Sequence, residues 1–281
     1  MRWPASGAGP GKAFPGRVTA ESSAGSGLGV PVVLLCGGLG LRQRSDGDDL
    51  PKPLRPLPDG RALLLHVLDY YRAFGLTEFV LCTGYGAADV ASLLREAFGV
   101  PGRAVATTPG LTRMVTAAVS LTLVDSGTEA GKAQRLRDAR PYVGERRFLL
   151  GYVDVLSDLD LHRLMRTHQT GGGTVTLTVT QVRSRYGLVT LDDGTLVTGF
   201  AEKPVVSDLV SAGYFACEPA LFSELIPGLP LEAGVLPRLA AARKLHAHRH
   251  TGLWLALDTY KDFTEAEALI SREGCAWLTP A

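Results

Sequence analysis

The sequence predicts an α/β fold with a mostly parallel sheet flanked by helices and a small inserted β-hairpin region. Three observations predict this class. Short β-rich runs alternate with amphipathic helical patterns along the chain. Hydrophobic residues make up 46% of the 281 positions, which is enough for one sizeable core. Asp193-Gly194 separates two alternating apolar runs, and this dipeptide is typical of a hairpin turn.

Each predicted element depends on a local pattern. A four-residue apolar run forms the first strand, and Gly75 supplies the usual end of the helix that follows. An acidic cap at Asp158 starts a later helix, and threonine alternating with valine or leucine marks a half-buried strand. Gly171–Gly173 is predicted to be a flexible connection. The predicted strands are Val32–Leu35, Glu78–Thr83, 121–125, 147–153, 174–182, 186–191 and 195–201, and the predicted helices are 63–74, 87–98, 158–169 and 259–271.

Composition and charge exclude several classes of protein. A net charge of +1 argues against broad attraction to nucleic acid or anionic membranes. No apolar run reaches the roughly 18 to 20 residues that span a bilayer. Residues 1–29 are rich in Gly, Ala, Ser and Pro and lack the apolar core of a secretory signal, so we expect a disordered tail before a domain at 30–281. Four cysteines lie far apart in the sequence, at Cys36, Cys82, Cys217 and Cys275, and this spacing indicates free thiols and not disulfides. Because free thiols are typical of reducing compartments, we expect a cytoplasmic protein.

A glycine-rich loop follows the first strand, where open α/β sheets bind ligands. Glycines in the stretch Gly37–Gly40 let backbone N–H groups approach a phosphate closely, and Arg42 follows with a planar fork of donors. Ten residues later, Pro51 and Pro53 stiffen the backbone on both sides of Lys52. This lysine is one of only six in an arginine-rich chain, so we interpret it as a positive charge held at a defined position.

The stretch LCGGLGLR followed by LPKPL resembles the signature of sugar-1-phosphate nucleotidyltransferases, which is roughly LAGGxGTR followed by KPKPM. Within that family the closest resemblance is to glucose-1-phosphate cytidylyltransferase. The likeness spans about residues 31 to 279 and continues in HVLDYYRAFGLTEFVLCTGY, FLLGYVDVLSDLDL, FAEKP, SAGYFAC, GLWLALDT and CAWLTP. It implies a Rossmann-like, GT-A-like fold and an enzyme that joins a nucleoside triphosphate to a sugar 1-phosphate and releases pyrophosphate.

The same resemblance implies a role for each site residue. Asp154 and Asp258 match the two positions that hold Mg²⁺, Lys52 would neutralise the α-phosphate, and Arg42 would hold the β- and γ-phosphates. Arg135 matches an arginine that approaches the nucleotide. The remaining nucleotide-binding positions are Leu35, Cys36, Gly37, Gly38, Leu39, Gly40 and Leu41. The sugar-phosphate positions are Tyr186, Gly187, Glu202, Lys203 and Gly213. Self-association is expected by analogy with relatives.

Departures from the family pattern leave the substrate open. The threonine of the signature is Leu41, the glycines flanking the aspartate are Val153 and Val155, and other substitutions are Leu50, Ala133, Gln134, Ser211 and Ala212. Replacing a glycine with a larger residue adds bulk to a pocket and prevents the backbone from approaching the ligand closely. Such changes alter the shape of the substrate pocket more than they alter the phosphate chemistry. CTP with glucose 1-phosphate is therefore the default pair, while UTP, dTTP or GTP and a modified sugar or cyclitol phosphate stay open.

Other interpretations compete with these roles. Asp154 and Asp258 also fit helix-cap or turn positions. A protein that kept the fold as a non-catalytic nucleotide-sugar binder or regulator is the main alternative function. A GT-A-like glycosyltransferase is disfavoured, because no DxD motif is present at Asp154. The alternating His246, His248 and His250 favour a polar strand face over a zinc site.

Overall fold

The computed structural model describes residues 28–37, 50–102 and 105–273. Its strands are β1 Val32–Leu35, β2 Glu78–Thr83, β3 Val105–Thr108, β4 Leu111–Val115, β5 Ser120–Asp125, β6 Phe148–Tyr152, β7 Val155–Ser157, β8 Val175–Arg183, β9 Leu188–Leu191, β10 Val197–Ala201, β11 Val205–Cys217, β12 Leu245–Arg249 and β13 Trp254–Ala256. Its α-helices are α1 Leu63–Ala73, α2 Ala87–Ala97, α3 Lys132–Val143, α4 Leu161–Gly171, α5 Leu221–Glu224, α6 Leu236–Ala241 and α7 Tyr260–Glu273. A 3₁₀ turn covers Lys52–Leu54, and a π-helical turn covers Leu231–Val235.

One large mixed sheet organises the described residues, in the order β12-β8-β11-β6-β1-β2-β5-β4-β3. Its centre, β6-β1-β2-β5, is parallel, and β11 and β4 pair antiparallel on its two sides. The α/β class with a helix-flanked sheet is therefore confirmed. Because the central strands are parallel, the carboxyl ends of β1, β2 and β6 lie at one edge of the sheet.

Side chains alternate between two cores, one on each face of the sheet. Val32 and Leu34 of β1 belong to the core that α1, α2, α4 and α7 cover. Val33 and Leu35 belong to the opposite core, which α3, α5 and α6 cover. All four side chains are buried, as expected for a central parallel strand with helices on both faces. β1 therefore provides a rigid base for the loop that follows it.

The predicted hairpin is confirmed. β9 and β10 form a separate two-stranded antiparallel sheet, inserted between β8 and β11, and its apolar side chains are largely exposed. A second small sheet pairs β13 with β7 antiparallel. None of the helices in the described part of the chain combines the length and the apolar character needed to cross a membrane.

Some expectations were wrong. The helix after β7 begins at Leu161, one turn later than predicted, and Asp160 is its N-cap, accepting from the backbone N–H of Arg163 at 3.1 Å. The glycines of the predicted flexible connection end and cap that helix: Gly172 has φ +69°. A Cβ at Gly173 would lie 2.2 Å from the His246 ring. Residues 1–27 lie outside the described chain, so the domain boundary at 30 stays a prediction.

Candidate active site

The carboxyl ends of β1 and β6 meet at a cavity of about 190 Å³. β1 leads directly into Gly37, and β6 leads into Asp154. The lining residues are Leu35, Cys36, Gly37, Lys52, Pro53, Lys132, Tyr152, Val153 and Asp154. The cavity thus lies where the sequence predicted a phosphate-binding loop, at the ligand-binding edge of an α/β sheet.

Lys52, Asp154 and Asp258 meet at the mouth of this cavity. The Lys52 ammonium donates to Asp154 Oδ2 at 3.0 Å and to Asp258 Oδ1 at 3.1 Å. Lys52 opens the 3₁₀ turn, and only 17% of its side chain is exposed, against 31% for Asp154 and 54% for Asp258. Residues more than a hundred positions apart therefore share one charge cluster.

The pairing of β7 with β13 brings the two aspartates together. Asp154 precedes β7 and Asp258 follows β13, and Val155 lies opposite Ala256 in the antiparallel register. The Leu257 N–H also donates to the Asp154 carbonyl at 2.8 Å. Because antiparallel partners start and end beside each other, both carboxylates emerge at the same end of this small sheet.

Neither carboxylate acts as a helix cap. Thr259 caps α7: its Oγ1 accepts from Asp262 N at 3.2 Å, while Asp262 Oδ2 accepts from the N–H groups of Thr259 at 2.7 Å and Asp258 at 3.0 Å. The side chain of Asp258 is therefore left to face Lys52. The helix-cap interpretations of Asp154 and Asp258 are therefore wrong, whereas Asp154 does lie in a turn, between β6 and β7.

The charge cluster fits a divalent cation. One ammonium and two carboxylates sum to −1, and each carboxylate has a second oxygen besides the one on Lys52. Mg²⁺ in enzymes usually takes one or two carboxylates and completes its shell with waters and substrate phosphates. Among the described residues, no set of three or more His, Cys, Asp and Glu side chains is arranged to hold a metal.

Arg135 lies directly beneath the start of the glycine loop. Its side chain is buried, and its guanidinium donates to the carbonyls of Thr83, Gly127 (2.9 Å) and Thr128 (3.3 Å). A Cβ at Gly37 would lie 2.2 Å from Arg135 Nη1. Burial lowers the pKa of Arg135 from its ordinary value, because the charged form loses hydration. In this structure the guanidinium supports the loop from below, and its predicted contact with nucleotide stays a prediction.

A larger cavity of about 950 Å³ is lined in part by Asp258. Its lining includes Tyr186, Lys203 and Trp254. Lys203 has φ +46° and pairs with Glu202 at 3.5 Å. Two of the five predicted sugar-phosphate residues thus share this cavity with Asp258.

The other predicted sugar-phosphate residues, Gly187, Glu202 and Gly213, are not among those that line the larger cavity. Glu202 is not in the cavity lining, but its Oε2 is 3.1 Å from where a Cβ at Gly187 would lie. Gly213 has φ +80°, and a Cβ built there would lie 3.2 Å from both Tyr152, which lines the smaller cavity, and Val155. The five predicted nucleotide-binding residues Gly38, Leu39, Gly40, Leu41 and Arg42 lie outside the described residues, and their roles stay predictions.

Sequence reasoning missed Lys132, Tyr152 and Glu232. Lys132 opens α3 at the smaller cavity, pairs with Glu232 and lies over the Tyr152 ring. The scarcity of lysine was the available signal, since four of the six lysines line the two cavities. Of the alternating histidines, His246 and His248 lie on β12 and His250 directly follows it; His248 contacts Thr167 at 2.8 Å, and His250 contacts Ser157 at 3.1 Å.

Comparison with known proteins decides the family. The family model described as Nucleotidyl transferase matches residues 31–273. The chain belongs to the nucleotidyl transferase family. This match confirms the resemblance predicted from the sequence. The cluster of Lys52 with two aspartates therefore lies in a nucleotidyltransferase fold.

Members of the family with curated names cover nearly the whole chain. A protein of Bacillus subtilis (strain 168) named "Probable glucose-1-phosphate cytidylyltransferase" is 30% identical over 250 residues, which is 87% of this chain and 98% of the relative. Glucose-1-phosphate cytidylyltransferase of Salmonella typhi is 28% identical over 255 residues, 88% of this chain and 98% of the relative. The structure of the inositol-1-phosphate CTP transferase from T. maritima superposes with a TM-score of 0.61 at 18% identity, covering 88% of this chain and 96% of that chain, which shows a shared fold.

Proposed function

We propose that this nucleotidyltransferase transfers a nucleotidyl group from a nucleoside triphosphate to a sugar 1-phosphate. The products are a nucleoside diphosphate sugar and pyrophosphate. The observation that carries the proposal is the position of Lys52, which contacts Asp154 and Asp258 between the two cavities. CTP and glucose 1-phosphate are the favoured pair, supported by the names of the two curated relatives.

The reaction brings two anions together, so its barrier is largely electrostatic. An oxygen of the sugar phosphate attacks the α-phosphorus, and the bond from that phosphorus to the oxygen bridging the α- and β-phosphates breaks as pyrophosphate leaves. The Lys52 ammonium offsets negative charge on the α-phosphate. Its stiff Pro-Lys-Pro context and limited exposure keep it oriented, so little reorganisation is needed as charge develops.

Asp154 and Asp258 are the residues that would hold Mg²⁺. When bound, the ion supplies charge neutralisation and alignment of phosphate oxygens. The two carboxylates together carry one more charge than Lys52 neutralises, which favours a cation beside them. The aspartates also orient Lys52, because a lysine shared between two fixed acceptors has less rotational freedom than a lone surface lysine.

The two cavities suit the two substrates. The smaller one begins at Gly37, which starts the predicted phosphate loop, so we place the nucleotide there. The larger one contains Lys203 and Tyr186 and is roomy enough for a sugar phosphate or a cyclitol phosphate. A non-catalytic binding protein is disfavoured, because binding alone does not require Lys52 and both carboxylates in one cluster.

The test is a matrix of substrates. The purified protein is incubated with Mg²⁺, each of CTP, UTP, dTTP and GTP, and a panel of sugar and cyclitol 1-phosphates, and pyrophosphate release is measured. We expect release with one preferred pair, with CTP and glucose 1-phosphate first. Nucleotide binding without pyrophosphate release from any pair would support the non-catalytic alternative.

A further inference from the structure

Lys132 is a cation of the smaller cavity that the catalytic cluster does not use. Its Nζ lies 4.1 Å from the centre of the Tyr152 ring and pairs with the Glu232 carboxylate. Tyr152 donates its hydroxyl to the same Glu232 oxygen at 2.8 Å. Tyr152 ends β6 two residues before Asp154, so this second group of charges adjoins the first.

The pair between Lys132 and Glu232 is not needed to hold the fold. Both side chains are about half exposed, at 44% and 47%, and exposed ion pairs contribute little to stability. A lysine has three donors on a flexible four-carbon stem, so it can exchange one acceptor for another within its reach. Hydrogen bonds from Lys132 and Tyr152 lower the pKa of Glu232 although burial, the largest influence, opposes them. Glu232 is therefore an ionised partner of Lys132, and a phosphate group that carries more negative charge can take its place on the lysine.

The described lining of the cavity offers few cations to a triphosphate. Lys52 already faces two carboxylates, and the only other lysine among the described lining residues is Lys132, while Arg42 of the predicted phosphate loop lies outside those residues. We propose that Lys132 is a second nucleotide-binding lysine, held by Glu232 in the free enzyme and transferred to a phosphate oxygen when the nucleoside triphosphate binds. This inference rests on the proposed function and adds a specific residue to its nucleotide site.

The experiment compares binding of CTP and cytidine by isothermal titration calorimetry for the wild type and four variants. Lys132→Met is expected to weaken CTP binding about tenfold and to leave cytidine binding unchanged, because cytidine has no phosphate. Lys132→Arg keeps the charge and should restore most of the affinity. Glu232→Gln removes the competing charge and should bind CTP a few fold more tightly. Lys244→Met is the matched control, since Lys244 is similarly exposed and pairs with Glu224 at 3.0 Å outside the cavity lining.

Two results would overturn the inference while leaving the proposed function intact. One is a Lys132→Met variant that binds CTP as tightly as the wild type. The other is an equal loss of CTP and cytidine affinity, which would indicate a contact to the nucleoside or a structural role. A wild-type protein that binds none of CTP, UTP, dTTP and GTP would instead contradict the proposed function, and this inference with it.

Discussion

Replacing Lys52 with methionine is expected to lower kcat by a factor on the order of 10² to 10³, equivalent to about 3–4 kcal/mol of transition-state stabilisation. The ammonium is the group that contacts both aspartates, and methionine keeps most of the length of the side chain but removes the charge. Steady-state kinetics with the preferred substrate pair measure the effect.

Asp154→Asn should also lower kcat by more than about tenfold, because it removes a negative charge from the same cluster.

The control for this prediction is the Lys244→Met variant, which removes a lysine remote from the cluster and should retain wild-type turnover. Unfolding by urea should give similar midpoints for Lys52→Met and the wild type, which separates lost chemistry from lost folding. Wild-type kcat in a folded Lys52→Met protein would show that the charge cluster is not catalytic.

Replacing Arg135 with methionine is expected to lower the free energy of unfolding by about 2–4 kcal/mol. Carbonyls of Thr83, Gly127 and Thr128 lose their guanidinium donor, and an unpaired buried acceptor costs roughly 1–3 kcal/mol. Relief from burying a cation offsets part of this cost. Urea unfolding followed by circular dichroism measures the change.

Arg140→Met provides the matched control on the same helix, because Arg140 is about half exposed and its pair with Glu145 contributes less than about 1 kcal/mol. A double-mutant cycle then tests the contact with the loop. Gly37→Ala places a methyl 2.2 Å from the guanidinium, so it should destabilise the wild type more than the Arg135→Met variant. Equal effects of Gly37→Ala in both backgrounds would show that the two residues do not contact each other.

Local sequence signals were sufficient for the central elements of the fold. The four residues of β1 are all apolar and are buried on both faces of the sheet. Such a run can be recognised as a strand from its own sequence, without information from distant residues. β11 could not be predicted in this way. It runs for 13 residues with exposed and buried halves and pairs irregularly with β8, so its pattern has no single period.

The candidate site depended on distant pairings that local patterns do not encode. The flanking prolines identified Lys52, but its aspartates come together only through two strands of three residues each, β7 and β13. The family resemblance, and not the local pattern, pointed to both aspartates. Burial of Arg135 was unpredictable because arginine is almost never fully buried unless it is paired, and its partners here are backbone carbonyls from other segments.

The most direct test of the account is a crystal structure of the protein soaked with its preferred nucleoside triphosphate and Mn²⁺, a substitute for Mg²⁺ that is located by its anomalous signal. We predict a manganese peak that contacts carboxylate oxygens of both Asp154 and Asp258, with the Lys52 ammonium on the α-phosphate. A well-ordered nucleotide elsewhere on the molecule, with no manganese at these two aspartates, would contradict it.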